Sequence, residues 1–414
     1  MSWLVAPEEL TPDQSRAIAL EPSEHRAIIG GPGSGKTQIL LYRAQFLARK
    51  YHVPPNRFHI FVYTNVLKSY IRTALNYLDL PLDCVSTLDG WCKTYFQTHI
   101  GGRVPWDAQA KRPDFDAIRN AILQRTYSNL LHEPAFDFVL VDEGQDLDRP
   151  AFELLSRLSK HVTVCADRKQ QIYDRGSEER EILTALGLRS GSVAFLDAYR
   201  CCPYITQLAA SLLDDPVERT RYLRQVRTTQ TEREKPLLYL AQDFEDEKKR
   251  LVEIVRSRQV KGERIAILFG AQRQIHGFAK GLREQGLEVE IQEEADFSSD
   301  LPKLITYHSA KGLTFDTVLL PRLVGRSFPY LTDRRLASLL FVGVTRAVKW
   351  VYMSTTEDGQ QLRSVLERVI PLADGGGPLV VQRGRAAAGI QKSLFGSGTP
   401  DSRAGDTDDI LDPL

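Results

Sequence analysis

The segment GGPGSGKT at residues 30–37 constrains this chain more than any other feature. An apolar run, Ala27-Ile28-Ile29, leads into it, and a helical pattern over 36–49 leads out. A strand can turn that sharply into a helix only where Cβ atoms are missing. The backbone N–H groups of Gly31, Gly33, Ser34 and Gly35 then close around an anion, with Pro32, which has no N–H, fixing the bend between them, and the helix N-terminus adds positive potential. This is the P-loop pattern. Lys36 supplies charge for the β- and γ-phosphates, and Thr37 a hydroxyl for Mg²⁺. The expected ligands are therefore ATP and Mg²⁺.

Elsewhere short apolar runs alternate with longer helical patterns, which points to α/β units built on parallel sheets. Buried strands are expected at Ala27–Gly30, His59–Tyr63, Phe138–Val141, Val162–Cys165, Ile265–Phe269, Leu304–Thr306 and Val318–Leu320. Helices are expected over 36–49, 151–159 and 244–259. A length of 414 residues suits two or three domains. With 54 Lys+Arg against 53 Asp+Glu the net charge is +1, which excludes a generally basic coat but not a local basic groove. Five cysteines without CxxC spacing exclude a zinc module or disulfide scaffold. Neither a signal peptide nor a membrane-spanning run is visible, so a cytoplasmic protein is expected, nucleoid-associated when DNA-bound.

A P-loop site needs an acid at a second strand end. FVLVDE at 138–143 supplies two: Asp142 to hold Mg²⁺, and Glu143 to orient and deprotonate an attacking water. The pair narrows the reading toward NTP hydrolysis coupled to work.

Four further segments, FVLVDEGQDL (138–147), VTVCADRKQQIY (162–173), KLITYHSAKGLTFDTVLL (303–320) and LLFVGVTRA (339–347), resemble the ordered motifs of superfamily 1 helicases of the UvrD/Rep/PcrA type. The resemblance implies an α/β fold of two RecA-like parallel-sheet P-loop NTPase domains, over 1–195 and 196–373, with an ATP cleft between them. A disordered C-terminal tail is expected over 374–414.

Roles follow by resemblance, position by position. Gln14 in LTPDQ would read adenine, and Tyr199 would stack on it. Thr64 and Asn65, then Thr87 and Trp91, match DNA-contact motifs, as does His308; Lys311 falls in the same motif as His308, at the domain interface. Gln145 and Gln170 would couple γ-phosphate to DNA, Arg200 would touch γ-phosphate, and Arg346 matches the arginine finger. Glu143, Gln170, Arg200 and Arg346 form the expected catalytic set. The partner is single-stranded DNA.

Some positions depart from the pattern. Gly144 replaces an alanine, a change expected to be harmless. Thr314 replaces a glutamate, and no tryptophan follows Tyr173. The gaps where larger relatives carry accessory subdomains, before Asp142 and before His308, are short. The resemblance therefore implies a compact 3′→5′ translocase or helicase. The alternative is an ATPase switch in a repair, replication or anti-phage complex whose partner supplies nuclease or unwinding activity. QKSLF at 391–395 is similar to a sliding-clamp-binding peptide, with Gln391, Leu394 and Phe395 as anchors, or is an incidental apolar spot.

Overall fold

The computed structural model describes residues 3–127, 135–167, 179–189, 192–196, 202–226, 234–356 and 361–384. In the first half the strands are β1 (Arg26–Gly30), β2 (Phe58–Val62), β3 (Val85–Thr87), β4 (Trp106–Asp107), β5 (Arg112–Pro113), β6 (Phe136–Val141), β7 (Ser159–Ala166) and β8 (Val193–Leu196). The helices are α1 (Pro12–Ile18), α2 (Lys36–Lys50), α3 (Asn65–Leu75), α4 (Leu88–Tyr95), α5 (Phe115–Tyr127), α6 (Arg149–Leu158) and α7 (Glu179–Ala185). Six strands form one sheet in the order β3-β2-β6-β7-β1-β8, every pair parallel. Its central strands are buried along most of their length, as expected of a parallel sheet covered on both faces. β4 and β5 form a separate antiparallel hairpin.

The second half repeats the plan. Strands β9 (Leu237–Ala241), β10 (Ile265–Phe269), β11 (Glu290–Ile291), β12 (Lys303–Thr306), β13 (Phe315–Leu320), β14 (Ala347–Thr356) and β15 (Val380–Arg383) make a sheet in the order β11-β12-β10-β13-β14-β9-β15. It too is wholly parallel. Helices α8 (Pro203–Ser211), α9 (Pro216–Gln225), α10 (Phe244–Val260), α11 (Gln272–Glu284), α12 (Asp333–Val344) and α13 (Arg363–Val369) flank it. These are two RecA-like domains. β8 closes the first sheet at Leu196, and the Cys202 N–H already bonds Val348 O of the second domain at 3.0 Å.

One boundary differs from expectation. The Gly-rich composition after Ala373 suggested that no structure follows, yet β15 adds an edge strand to β9. Leu379 is buried just before it, and Val381 packs against the core. The apolar run PLVV outweighs its glycine-rich surroundings. Residues 385–414, with Gln391, Leu394 and Phe395, lie outside the described residues.

The P-loop helix is pinned by a buried cation. Arg43 of α2 is fully buried. Its guanidinium donates to the carbonyls of Ile18 (2.9 Å) and Leu20 (2.7 Å) and to Thr163 Oγ1 (2.9 Å), and lies 3.2 Å from His161 Nε2. Burial pulls its pKa down to about 10, still charged at neutral pH. One side chain thus ties the end of α1 and strand β7 to α2. Arg43→Met should cost on the order of 3 kcal/mol, because several buried acceptors lose their donor together. Urea unfolding of the full chain measures this. Arg43→Lys should recover only part, since an ammonium lacks the planar fork.

Candidate active site

The loop between β1 and α2 closes as its glycines require. Gly35 has φ +82°, and a Cβ there would sit 2.8 Å from Gln14 Nε2. Gln14 is part of a capping box at the start of α1: its Oε1 accepts from Thr11 N (3.0 Å), and its backbone N–H donates to Thr11 Oγ1 (3.3 Å). Its Nε2 donates to Ser34 O at 3.0 Å, so the side chain braces the loop. Lys36 is buried and donates to the carbonyls of Gly30 (2.8 Å) and Gly31 (3.0 Å), with Asp167 3.6 Å away. Thr37 Oγ1 donates to Asp142 Oδ2 at 2.7 Å, which joins the loop to the end of β6.

Asp142 and Glu143 are adjacent, buried and driven in opposite directions. Burial, reinforced by the Glu143 charge, pushes Asp142 up to about 6. Burial also pushes Glu143 up, but Lys311, Lys36 and Arg346 outweigh it and hold this carboxyl below its ordinary value. Glu143 takes a left-handed backbone (φ +53°) and opens a tight turn over Gly144–Asp146. In that turn Gln145 Nε2 donates to Glu143 Oε2, while Gln145 Oε1 accepts from Asp167 N at 2.9 Å. The amide therefore links the acid to the end of β7. Glycine at 144 suits this packing: a Cβ there would run into the Val164 side chain and lie 3.4 Å from Cys165 O.

The ends of the two sheets meet at this turn. Lys311, following β12, donates to both carboxylate oxygens of Asp146, at 2.8 and 2.6 Å. Both side chains are 0% exposed. Burial drives Asp146 up to about 7 against the opposing pull of Lys311. Tyr70 of α3 meets Phe297 of the second domain edge-on at 5.2 Å, adding an apolar contact. Arg346 is buried at the end of α12, donating to Val342 O at 3.2 Å while its charge acts on Glu143. His308 is half-buried; burial, helped by the Lys311 charge, lowers its pKa, which keeps it neutral.

The remaining predicted residues divide. Thr64 caps α3 by accepting from Leu67 N (3.0 Å), with Asn65 exposed beside it, and Thr87 caps α4 by accepting from Gly90 N (3.1 Å). Two helix N-termini thus stand side by side at the ends of β2 and β3. Trp91, partly exposed, stacks on Tyr95 (5.0 Å) and contacts Phe136 (5.6 Å) and Phe61 (5.9 Å). Its place one turn before Tyr95 on α4 turns it into the apolar cluster. Gln170, Tyr199 and Arg200 lie outside the described residues. Asp146, Lys311's carboxylate partner, and Asp167 carried no assigned role in the sequence. Only their places at the ends of β6 and β7 hinted at one.

Comparison with known proteins bears on this geometry. A family model described as AAA domain matches residues 14–175, and one described as UvrD-like helicase C-terminal domain matches residues 299–358. Together the two matches support a UvrD-like superfamily 1 helicase. A probable DNA helicase of Mycoplasma pneumoniae is 23% identical over 257 residues, covering 56% of this chain and 45% of that protein. The chain therefore spans less than half the length of that relative. The solved C-terminal domain of a possible DNA helicase from Lactobacillus plantarum WCFS1 is 17% identical, covers 44% of this chain and 98% of that one, and gives a TM-score of 0.35.

The matched helicase-family domains imply nucleotide binding. No helix among the described residues is long and apolar enough to cross a membrane. For Mg²⁺ the donor set fits: the Thr37 hydroxyl and the Asp142 carboxylate are hard oxygens side by side, and this ion takes one or two such protein ligands with phosphate and water.

The helicase-family cleft is locked by one ion pair, and its removal has a defined signature. Lys311→Met leaves Asp146 buried without a partner and should cost about 3–5 kcal/mol. Lys311→Met combined with Asp146→Leu removes both desolvated charges and should recover much of that loss. Denaturant melts of the single and double variants read the difference; a double variant no more stable than the single one would contradict the pairing.

Proposed function

We propose that this chain is an ATP-driven motor that translocates 3′→5′ on single-stranded DNA or remodels it. The observation that carries the reading is the junction of the two domains at the hydrolytic turn. Asp146, three residues after Glu143, is held by Lys311 of the second domain, whose ammonium also lies 6.0 Å from the Tyr63 ring beside Thr64. A change at the γ-phosphate therefore reaches both domains and the helix ends where a strand would lie.

In this reading the P-loop N–H groups and Lys36 hold the β- and γ-phosphates. Lys36 exchanges its carbonyl partners for phosphate oxygens when ATP enters. Thr37 and Asp142 would hold Mg²⁺, which supplies charge neutralisation along the phosphates. Glu143 takes the proton of a water whose oxygen attacks the γ-phosphorus, and the bond to the β–γ bridging oxygen breaks. Arg346, with Arg200 by resemblance, stabilises the charge on the transferred group. Gln145, with Gln170 by resemblance, senses the γ-phosphate. Gln14 and Tyr199 flank adenine. Thr64, Asn65, Thr87 and His308 receive the DNA backbone, the helix N-termini favouring phosphate.

ATPase rates with and without oligo(dT) test the proposal. Strong stimulation by the strand alone is expected; turnover that depends instead on a protein partner would favour the switch reading. Lys36→Ala should lose ATP binding and turnover together. Glu143→Gln should keep ATP bound and lose turnover, and substantial hydrolysis by it would overturn the base assignment. Arg346→Ala should lower kcat on the order of 10³-fold with little change in nucleotide affinity. A raised KM at unchanged kcat would make Arg346 a ground-state contact instead.

A further inference from the structure

The chain between α4 and α5 folds into a small platform that none of the motifs accounts for. β4 and β5 pair Trp106 with Pro113 and Asp107 with Arg112. The turn is internally fixed: Asp107 Oδ1 accepts from Gln109 N (2.9 Å) and Ala110 N (3.0 Å), and Lys111 takes φ +52°. Asp114 N bonds Pro105 O at 2.9 Å across the base, and Ile100, Val104 and Phe115 anchor the hairpin on the first domain's core. The Asp107 charge is thus turned into the loop, while Arg103, Lys111 and Arg112 face solvent.

Trp106 differs from the other three tryptophans. Trp3 stacks on Tyr70, Trp91 belongs to the aromatic cluster, and Trp350 is buried with its Nε1 bonded to Lys235 O. The Trp106 indole is 57% exposed on a rigid support. A cavity of about 460 Å³ places the hairpin: Asp107 and Arg112 share its wall with Tyr63 and Thr87, from the ends of β2 and β3. The hairpin therefore stands at the sheet edge where Thr64 and Thr87 cap their helices.

The cavity floor is acidic, but its carboxylates are already committed. Asp148 caps α6 and Asp114 caps α5, each accepting from a helix N–H at 3.0 Å, and Arg119 is held by Asp89 at 2.8 Å. Such a floor repels phosphate. A strand passing here is kept to the rim, where the three exposed cations stand beside the indole.

We infer that the β4–β5 hairpin is a single-strand contact, in which Trp106 stacks on a base while Arg103, Lys111 and Arg112 hold the flanking phosphates. The inference rests on the reading of the chain as a motor on single-stranded DNA. Stacking on an aromatic face tolerates any base, which suits a site that must accept each nucleotide in turn.

The test uses the full chain and a fluorescein-labelled 20-nucleotide oligo(dT), with binding followed by anisotropy across a series of KCl concentrations. Trp106→Ala should weaken binding about tenfold, and Trp106→Phe should restore part of it. Arg103→Ala with Lys111→Ala should reduce the slope of log affinity against log salt by about 1–2. Oligo(dT) should quench tryptophan emission in the wild type and not in Trp106→Ala. DNA-free ATPase and thermal unfolding should be unchanged, because the indole packs on nothing essential. Unchanged oligo(dT) affinity and quenching in Trp106→Ala would overturn the inference while leaving the motor reading intact. A loss confined to blunt duplex would also overturn it, by assigning the hairpin to double strands. Wild-type protein that binds no oligo(dT) would overturn the motor reading and this contact with it.

Discussion

A charge pair with no exposure to water holds the two halves of this molecule in register. Desolvating an ammonium and a carboxylate costs several kcal/mol per ion, and the attraction offsets that cost only with close, directed hydrogen bonds. Lys311 and Asp146 have them, two contacts under 3 Å between residues that are 165 positions apart. Such a pair is poor at adding stability and good at specifying geometry. It fixes where the end of β12 meets the end of β6, and therefore where Arg346 faces Glu143. The neighbouring turn carries its own strain: Glu143 has a left-handed backbone that costs about 1–3 kcal/mol for a residue with a side chain. Backbone bonds from Asp146 N to Glu143 O (2.9 Å) and Leu147 N to Gly144 O (3.1 Å) hold it there. The acid and the lock are thus parts of one rigid turn.

That arrangement also separates the two carboxyl groups chemically. Asp142 faces Thr37 and takes the penalty of burial, whereas Glu143 faces three cations from three parts of the chain. Two acids whose environments push them apart can hold different roles. Two of the cations near Glu143, Lys311 and Arg346, come from the second domain. Opening the cleft would remove both, so the state of this acid reports domain closure.

Much of this was legible in the sequence, and the pattern of what was not has physical causes. Strands covered on both faces, such as Phe138–Val141 and Ile265–Phe269, announce themselves as apolar runs, and the P-loop by its glycines. β9, β14 and β15 were not picked out, although β14 is long; its opening residues Ala347-Val-Lys-Trp350 mix charge with apolar side chains near a helix end. β4 and β5 contain two residues each, too few for any periodicity. The placement of Asp142 and Glu143 at the end of β6 could be read because local spacing carries it. The Lys311–Asp146 pair could not, since nothing local in DEGQD or SAKGL specifies that one ends on the other. The fit of Gly144 is invisible for the same reason: it depends on Val164, on the next strand.

The short connection between α4 and β6 also changes what the fold can do. Where a larger insertion could build a second surface for duplex DNA, the described residues here form a π-helical turn (Phe96–Ile100), one hairpin and one α-helix. Arg119 of α5 gathers Asp89 and Asp148, from the starts of α4 and α6, so the insertion is bound to the same edge that presents Thr87. An element tied this closely cannot swing independently. It moves only with the first domain. On the proposed motor reading, any grip it adds is carried by one domain, against which the cleft-lining residues of the other would move. A stepping motor needs that asymmetry: one contact that stays with the strand while the opposite domain closes and opens over ATP.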